Sequence, residues 1–283
     1  MQIGTDIAMP LTAHLADALS ITDPVEKAAQ TRLLVAGWRG GIIAGLGTTP
    51  PPDRPGRPAR PELKSPREVP RRRIGPSAGG RIALLHAIAH IELNAIDLAL
   101  DMACRYADAE LPRAFFADWL GVADDEAHHF LMLNDRLAKL DASYGDLPAH
   151  DGLWQAAQET AHDLLARLAI APLVLEARGL DVTPAMIDRL RAVGDDESAD
   201  AFAIIMHDEV GHVGIGKRWF DYVCGLQRQD PVSTWHRLVG TYFRGPLKPP
   251  FNIAAREAAG LAAAFYQPMS ERGDLFARPA DSG

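Results

Sequence analysis

Through most of residues 79–225 of this 283-residue chain, apolar positions recur every three or four residues and rarely alternate. That period marks helices with one buried face, so it predicts an all-α fold. A first long helix is expected from about Gly80 to Ala107, with Leu85, Ile88, Glu92, Ala95, Ala99, Met102 and Tyr106 on its inner stripe. A second is expected from Pro112 to about Leu140, with Phe116, Trp119, Ala123, Glu126, Phe130, Leu133, Leu137 and Leu140 inside. A third starts between Gly152 and Asp163, is kinked at Pro172 and ends near Gly179 as a C-terminal cap. A short helix follows Thr183-Pro184. The fourth long helix runs from about Asp196 to Cys224 and buries Phe202, Ile205, Glu209, His212, Gly216, Trp219 and Val223.

Outside this region the pattern changes. Residues 7–39 read as one or two short helices, with Asp23-Pro24 as a start signal, and the tail as two pieces near 232–243 and 252–265. Nine of the 21 prolines fall within residues 50–76. That density excludes a helix or a central strand and predicts an extended connector. The expected organisation is an N-terminal helical extension (1–49), a Pro/Arg-rich connector (50–79), a bundle of four long helices (80–225) and a C-terminal helical extension (226–283).

Charge follows this division. The net charge is −8, yet Asp53 to Arg81 carries nine Lys/Arg against three Asp/Glu. A uniformly basic nucleic-acid binder is excluded. The connector alone could meet RNA through Arg71, Arg72 and Arg73; the favoured reading is a strap that neutralises an acidic bundle. No continuous run reaches the ~18 apolar residues of a membrane span, and the N-terminus lacks the basic and apolar regions of a secretory signal. Two distant cysteines, Cys104 and Cys224, exclude a disulfide scaffold or a Cys-rich metal module. A cytoplasmic protein is expected.

The chemistry lies in the stripes. Each long helix carries a glutamate on its buried face: Glu92, Glu126, Glu176 and Glu209. A buried carboxylate costs several kcal/mol unless it is paired or binds metal. Two of the four precede a histidine by three residues, Glu126–His129 and Glu209–His212, which puts each pair on one helix face. About 0.4 Glu-x-x-His matches would arise by chance from 12 Glu and 10 His, and three occur. The third, Glu159–His162, is too far from Glu176 to share a site and reads as chance or a surface pair. Glu92 and Glu126 are 34 residues apart, Glu176 and Glu209 are 33 apart, and both midpoints fall at expected turns. The chain therefore reads as two helical hairpins, each offering Glu and Glu-x-x-His at one level.

Neighbouring polar residues take lesser roles. His86 and His90 are packing residues or supports for Glu92, and His207, two before Glu209, mirrors His90. His128 is off the stripe. Asp125 and Asp208 are expected to accept the second N–H of the ligand histidines, Asp125 from His212 and Asp208 from His129. Gly211, Gly214 and Gly216 suggest close helix contact or room for a small ligand.

This residue order resembles the ferritin-like di-iron and di-manganese carboxylate bundles. More narrowly, LLHAIAHIELNAIDLALD, LVLEARGLDVTP and HDEVGHVGIGKRWF, with the flanking PGRPARPELKSPREVPRR and GPLKPPFN, resemble a bacterial ferritin-like family of the domain-of-unknown-function kind. The resemblance covers nearly the whole chain. Among its relatives are tRNA hydroxylases with the same Glu…Glu-x-x-His order.

The resemblance implies a ferritin-like four-helix bundle holding two iron ions, or alternatively two manganese ions. Glu126 and Glu209 would bridge or flank the metals, His129 and His212 would each bind one, and Glu92 and Glu176 would be terminal. It implies an O2-activating oxidoreductase, a hydroxylase or oxidase, fed electrons by a separate reductase or ferredoxin. Ferroxidase or storage activity, and peroxide disproportionation at manganese, are the alternatives. An RNA substrate and a homo-oligomer are compatible with it, and no membrane partner is expected. Residues 141–162 form a long crossover if the third helix begins near Asp163; an up-down-up-down order holds if it begins near Gly152.

Overall fold

The computed structural model describes residues 9–65, 68–69, 74–75, 77–107, 110–243 and 247–271. Among them the fold is all-α, with one isolated bridge between Leu63 and Ala149 and no strand. Arg71, Arg72 and Arg73, the expected RNA contacts, lie outside the described residues. The chain divides into two compact units: Met1–Trp154 with Ile187–Ala201, and Gln155–Met186 with Phe202–Gly283. These limits cut through α-helices.

In the first unit, α1 (Leu11–Ser20) and α2 (Pro24–Arg39) pack against the hairpin of α3 (Ala78–Arg105) and α4 (Arg113–Ala138). The expected start at Asp23-Pro24 holds. The Asp23 carboxylate accepts from the Glu26 N–H at 2.8 Å, and Pro24 lacks a donor where the first turn needs none. α3 is buried on every side from Glu92 to Cys104, so it is the centre of this unit. It is the one described helix long and apolar enough to cross a membrane, and 72% of its apolar window is buried inside the protein.

Residues 54–64 of the connector lie against the first unit, held largely by charged groups. Lys27 is 1% exposed and donates to Asp97 at 2.7 Å, Gly56 O at 3.0 Å and Leu19 O at 3.2 Å. Arg57 pairs with the other oxygen of Asp97 and donates to Asn94 at 2.7 Å. A side chain at position 56 would place its Cβ 2.3 Å from Ser20 O, so only glycine passes there. Farther on, Arg54 pairs with Asp151, and Lys64 N–H donates to Ala149 O at 2.8 Å. Several of the connector's cations are thus taken up inside the unit.

Residues 187–201, the turn between α7 (Ala177–Ala192) and α8 (Asp196–Leu226), belong to this unit. Gly194, at φ +74°, ends α7. Asp195 caps α8 by accepting from Ser198 N–H at 3.1 Å. It also accepts from Arg136 of α4 at 2.9 Å and from Arg81 of α3 at 3.1 Å.

The second unit contains α6 (Leu164–Ile170), a π-helix (Ala171–Glu176), parts of α7 and α8, and then α9 (Pro231–Tyr242), α10 (Ile253–Ala258) and α11 (Ala263–Glu271). Of the range left open for the start of the third helix, the end near Asp163 holds: residues 152–159 form a separate short helix, α5, and Asp163 caps α6 by accepting from Leu165 N–H at 2.9 Å. Two expectations need correction. The third helix does not end at Gly179, which lies inside α7 without a positive φ. Nor does Thr183-Pro184 start a new helix. Pro184 cannot donate to Leu180 O, and the Asn252 side chain fills that vacancy at 3.1 Å. A tertiary contact therefore lets α7 continue through two residues that locally argue against it. The tail piece near 252–265 is broken at Gly260 (φ +74°), where Leu261 N–H donates back to Arg256 O at 2.8 Å.

Candidate metal centre

Helices α3 and α4 bring Glu92, Glu126 and His129 together inside the first unit. Glu92 lies thirteen residues before the end of α3, and Glu126 thirteen after the start of α4, so the hairpin sets them level. They are 3% and 0% exposed, and His129 is 0% exposed. His129 Nδ1 is 3.3 Å from Glu92 Oε2 and 3.4 Å from Glu126 Oε2. Ligand atoms of the three lie within 4.8 Å of one another. Trp119, Ala123, Phe130 and Leu133, all on the predicted α4 stripe, are buried.

Burial dominates the electrostatics. It raises the Glu92 carboxyl well above the usual range, and the Glu126 charge raises it further. Burial works against a charged His129, but hydrogen bonds to Glu126 and Glu92 outweigh it and push the imidazole up to about 11. Two carboxylates and an imidazole buried this close together draw in positive charge, as protons or as a metal ion. Oxygen and imidazole donors suit iron or manganese, so these residues fit the expected metal.

In the second unit, α8 carries Glu209 and His212, 9% and 2% exposed, with His212 Nδ1 3.9 Å from Glu209 Oε1. Glu176 is half-buried and is the last residue of the π-helix. Pro172 is the second residue of that π-helix, at the position where a disturbance of the helix was expected. Gly216 accounts for the close-contact reading of the glycines, since a Cβ there would lie 2.4 Å from Pro172 Cβ. Gly214 makes only ordinary contact, and nothing lies within 4 Å of a Cβ at Gly211.

The residues expected to support the ligands have varied surroundings. Asp125 and Asp208 are half-buried. His90 faces away from the triplet: its Nδ1 meets Tyr144 OH at 2.8 Å and its Nε2 meets His150 O at 3.2 Å. Burial, then the Arg57 charge, hold it down to about 3. His207 is exposed, as is His128. A residue two positions from a ligand lies about 200° round the helix, so His90 and His207 meet different surroundings from Glu92 and Glu209. His86 accepts from Gly145 N–H at 2.9 Å and stacks on Tyr144. His162 bonds Tyr242 OH at 3.0 Å, away from both ligand triplets in sequence. Tyr144, which the sequence pattern did not single out, packs on His86, His90 and Phe130. Its only sequence signal was its position beside the break at Gly145.

Comparison with known proteins agrees with the reach of the sequence resemblance. Residues 20–267 match the family described as "Protein of unknown function (DUF455)". An uncharacterized protein of Haemophilus influenzae is 42% identical over 208 residues, covering 72% of each chain. No solved structure matches.

Proposed function

The chain belongs to the DUF455 family, and we propose that it is a dinuclear metal-carboxylate oxidoreductase, with iron as the metal and O2 as the oxidant. The convergence of the buried Glu92, Glu126 and His129 carries this reading. Glu176, Glu209 and His212 repeat the same chemistry in the second hairpin, and the matched spacings support a shared centre. Four carboxylates against two divalent ions leave the set near neutrality, which makes its burial tolerable.

The six side chains would hold the pair. Bound there, two iron ions supply the electrons that reduce O2. The chain's own contribution is to position donors and exclude water. Phe130, Leu133 and Trp119 form apolar surroundings on α4. His129 holds a proton between two carboxylates until metal displaces it. Electrons would come from a separate reductase or ferredoxin, since both thiols of this chain are buried and free.

Elemental analysis of full-length protein purified without added metal tests the reading. The expected result is about two irons per chain, an absorbance change when the reduced protein meets O2, and loss of both in Glu126→Ala and His129→Ala. Protein that carries no transition metal and takes none up, or variants that keep a full complement, would refute it. Two manganese ions with peroxide disproportionation would replace the oxidase reading and leave the site intact.

A further inference from the structure

We propose that Gly216 and Pro172 are positioning residues for the centre: the bare glycine admits the proline ring, the ring holds residues 171–176 in a π-helix, and the π-helix aims Glu176. This rests on the proposal that Glu176 holds metal.

The local cause begins at Pro172. It has no N–H for the carbonyl of Leu168, and its ring would press on that carbonyl in an α-helix. The chain responds by closing its bonds over five residues. Ala177 N–H reaches Pro172 O, five positions back. Such a segment holds about one residue more than α-turns would, which rotates the next residues by about 100°. Glu176 closes the segment, so the direction of its carboxylate depends on that extra residue. A π-helix is rare, and it costs hydrogen-bond geometry that an uninterrupted helix would keep.

The second cause is across the contact. A Cβ at Gly216 would stand 2.4 Å from Pro172 Cβ and 2.5 Å from its Cγ, far inside any carbon contact, and a proline ring cannot turn aside. Gly216 lies seven residues after Glu209 and four after His212, on the stripe that carries both. One helix face therefore presents two proposed ligands and the notch that seats the third ligand's π-helix.

The test uses full-length chain stripped of metal and titrated with cobalt(II), whose visible bands report coordination geometry. Gly216→Ala adds bulk at the notch. Pro172→Ala removes the ring and restores the missing donor. Gly225→Ala, on the same helix with nothing within 4 Å of the new Cβ, is the control. Both test variants should bind cobalt about 10-fold or more weaker, with altered bands, while the control matches wild type. Pro172→Ala introduces no clash, so it decides the matter even if Gly216→Ala does not fold. Wild-type affinity and bands in Pro172→Ala would overturn the inference while leaving the metal centre standing. Wild-type protein that takes up no cobalt would overturn the metal reading, and this inference with it.

Discussion

Replacing Glu126 by Gln should destabilise the metal-free protein, and the metal-loaded protein more. The carboxylates of Glu92 and Glu126 share one edge of His129 at 3.3 and 3.4 Å, and both are buried. Glu92 holds its proton, so Glu126 is the anion paired with protonated His129. Two opposite charges 3.4 Å apart attract by about 5 kcal/mol at an effective dielectric constant near 20. Gln cannot carry that charge, and removing one partner of a buried ion pair costs about 3–5 kcal/mol. For a chain of this length that corresponds to roughly 2–4 °C in melting temperature per kcal/mol. With metal present the loss grows: saturating metal at about 100 times its Kd adds about 2.7 kcal/mol to wild type, and Gln cannot replace the lost anionic donor.

The pH dependence provides a second readout. Both Glu92 and His129 hold protons in the folded, metal-free state that they release on unfolding, because both pKa values are raised. The folded state then binds more protons, so stability is greatest at low pH and falls as pH rises above about 4.5 for Glu92 and above about 6.5 for His129. Each group contributes a slope of at most about 1.4 kcal/mol per pH unit. Glu126→Gln should flatten this slope, as should metal binding. Urea titrations of wild type and variant between pH 5 and 9, with and without metal, give all four quantities. A metal-free variant that is as stable as wild type and keeps the full slope would refute the electrostatic account of the triplet.

Three further perturbations probe the framework. Lys27→Met should cost about 1–3 kcal/mol, since it leaves one oxygen of the buried Asp97 without its donor while Arg57 stays on the other, and should open the connector to limited proteolysis; protection equal to wild type would contradict the role of Lys27 in holding it. Asp195→Ala removes the acceptor for Arg136 and Arg81 and the cap of α8, so amide exchange in residues 187–201 should rise by at least tenfold, and unchanged exchange would refute its role. His90 titrates near 3 when folded and near 6.5 when unfolded. Its contribution is therefore fully present above about pH 6.5 and lost as pH falls toward 3. His90→Gln should remove that part of the acid slope, and identical slopes would refute the assignment.

How much was legible in advance differs from helix to helix. In α3 and α4 the apolar period and the glutamates on it pointed to one buried face, and the structure places Glu92, Glu126 and His129 on it. Their turn is short, so local spacing sets the level of the two helices. In the third helix, local signals misled. Gly179 and Pro184 both weaken a helix, yet α7 runs through them because Asn252, 72 residues beyond Leu180, bonds the carbonyl that Pro184 leaves. Pro172 announced a disturbance, but not that it would take the form of a π-helix. The ring also needs the space that Gly216 offers across the contact.

The sequence by itself determined the helical class, the faces to be buried and the acidic and imidazole groups on them, because those result from a period of 3.6 residues and the cost of burying charge. Tertiary structure decided where α7 ends, which turn carries Glu176, and what holds residues 54–64 of the basic connector. Those outcomes depend on partners far away in the chain: Asn252 for Pro184, Gly216 for Pro172, and Asp97 for Lys27 and Arg57. No local window contains both members of such a pair.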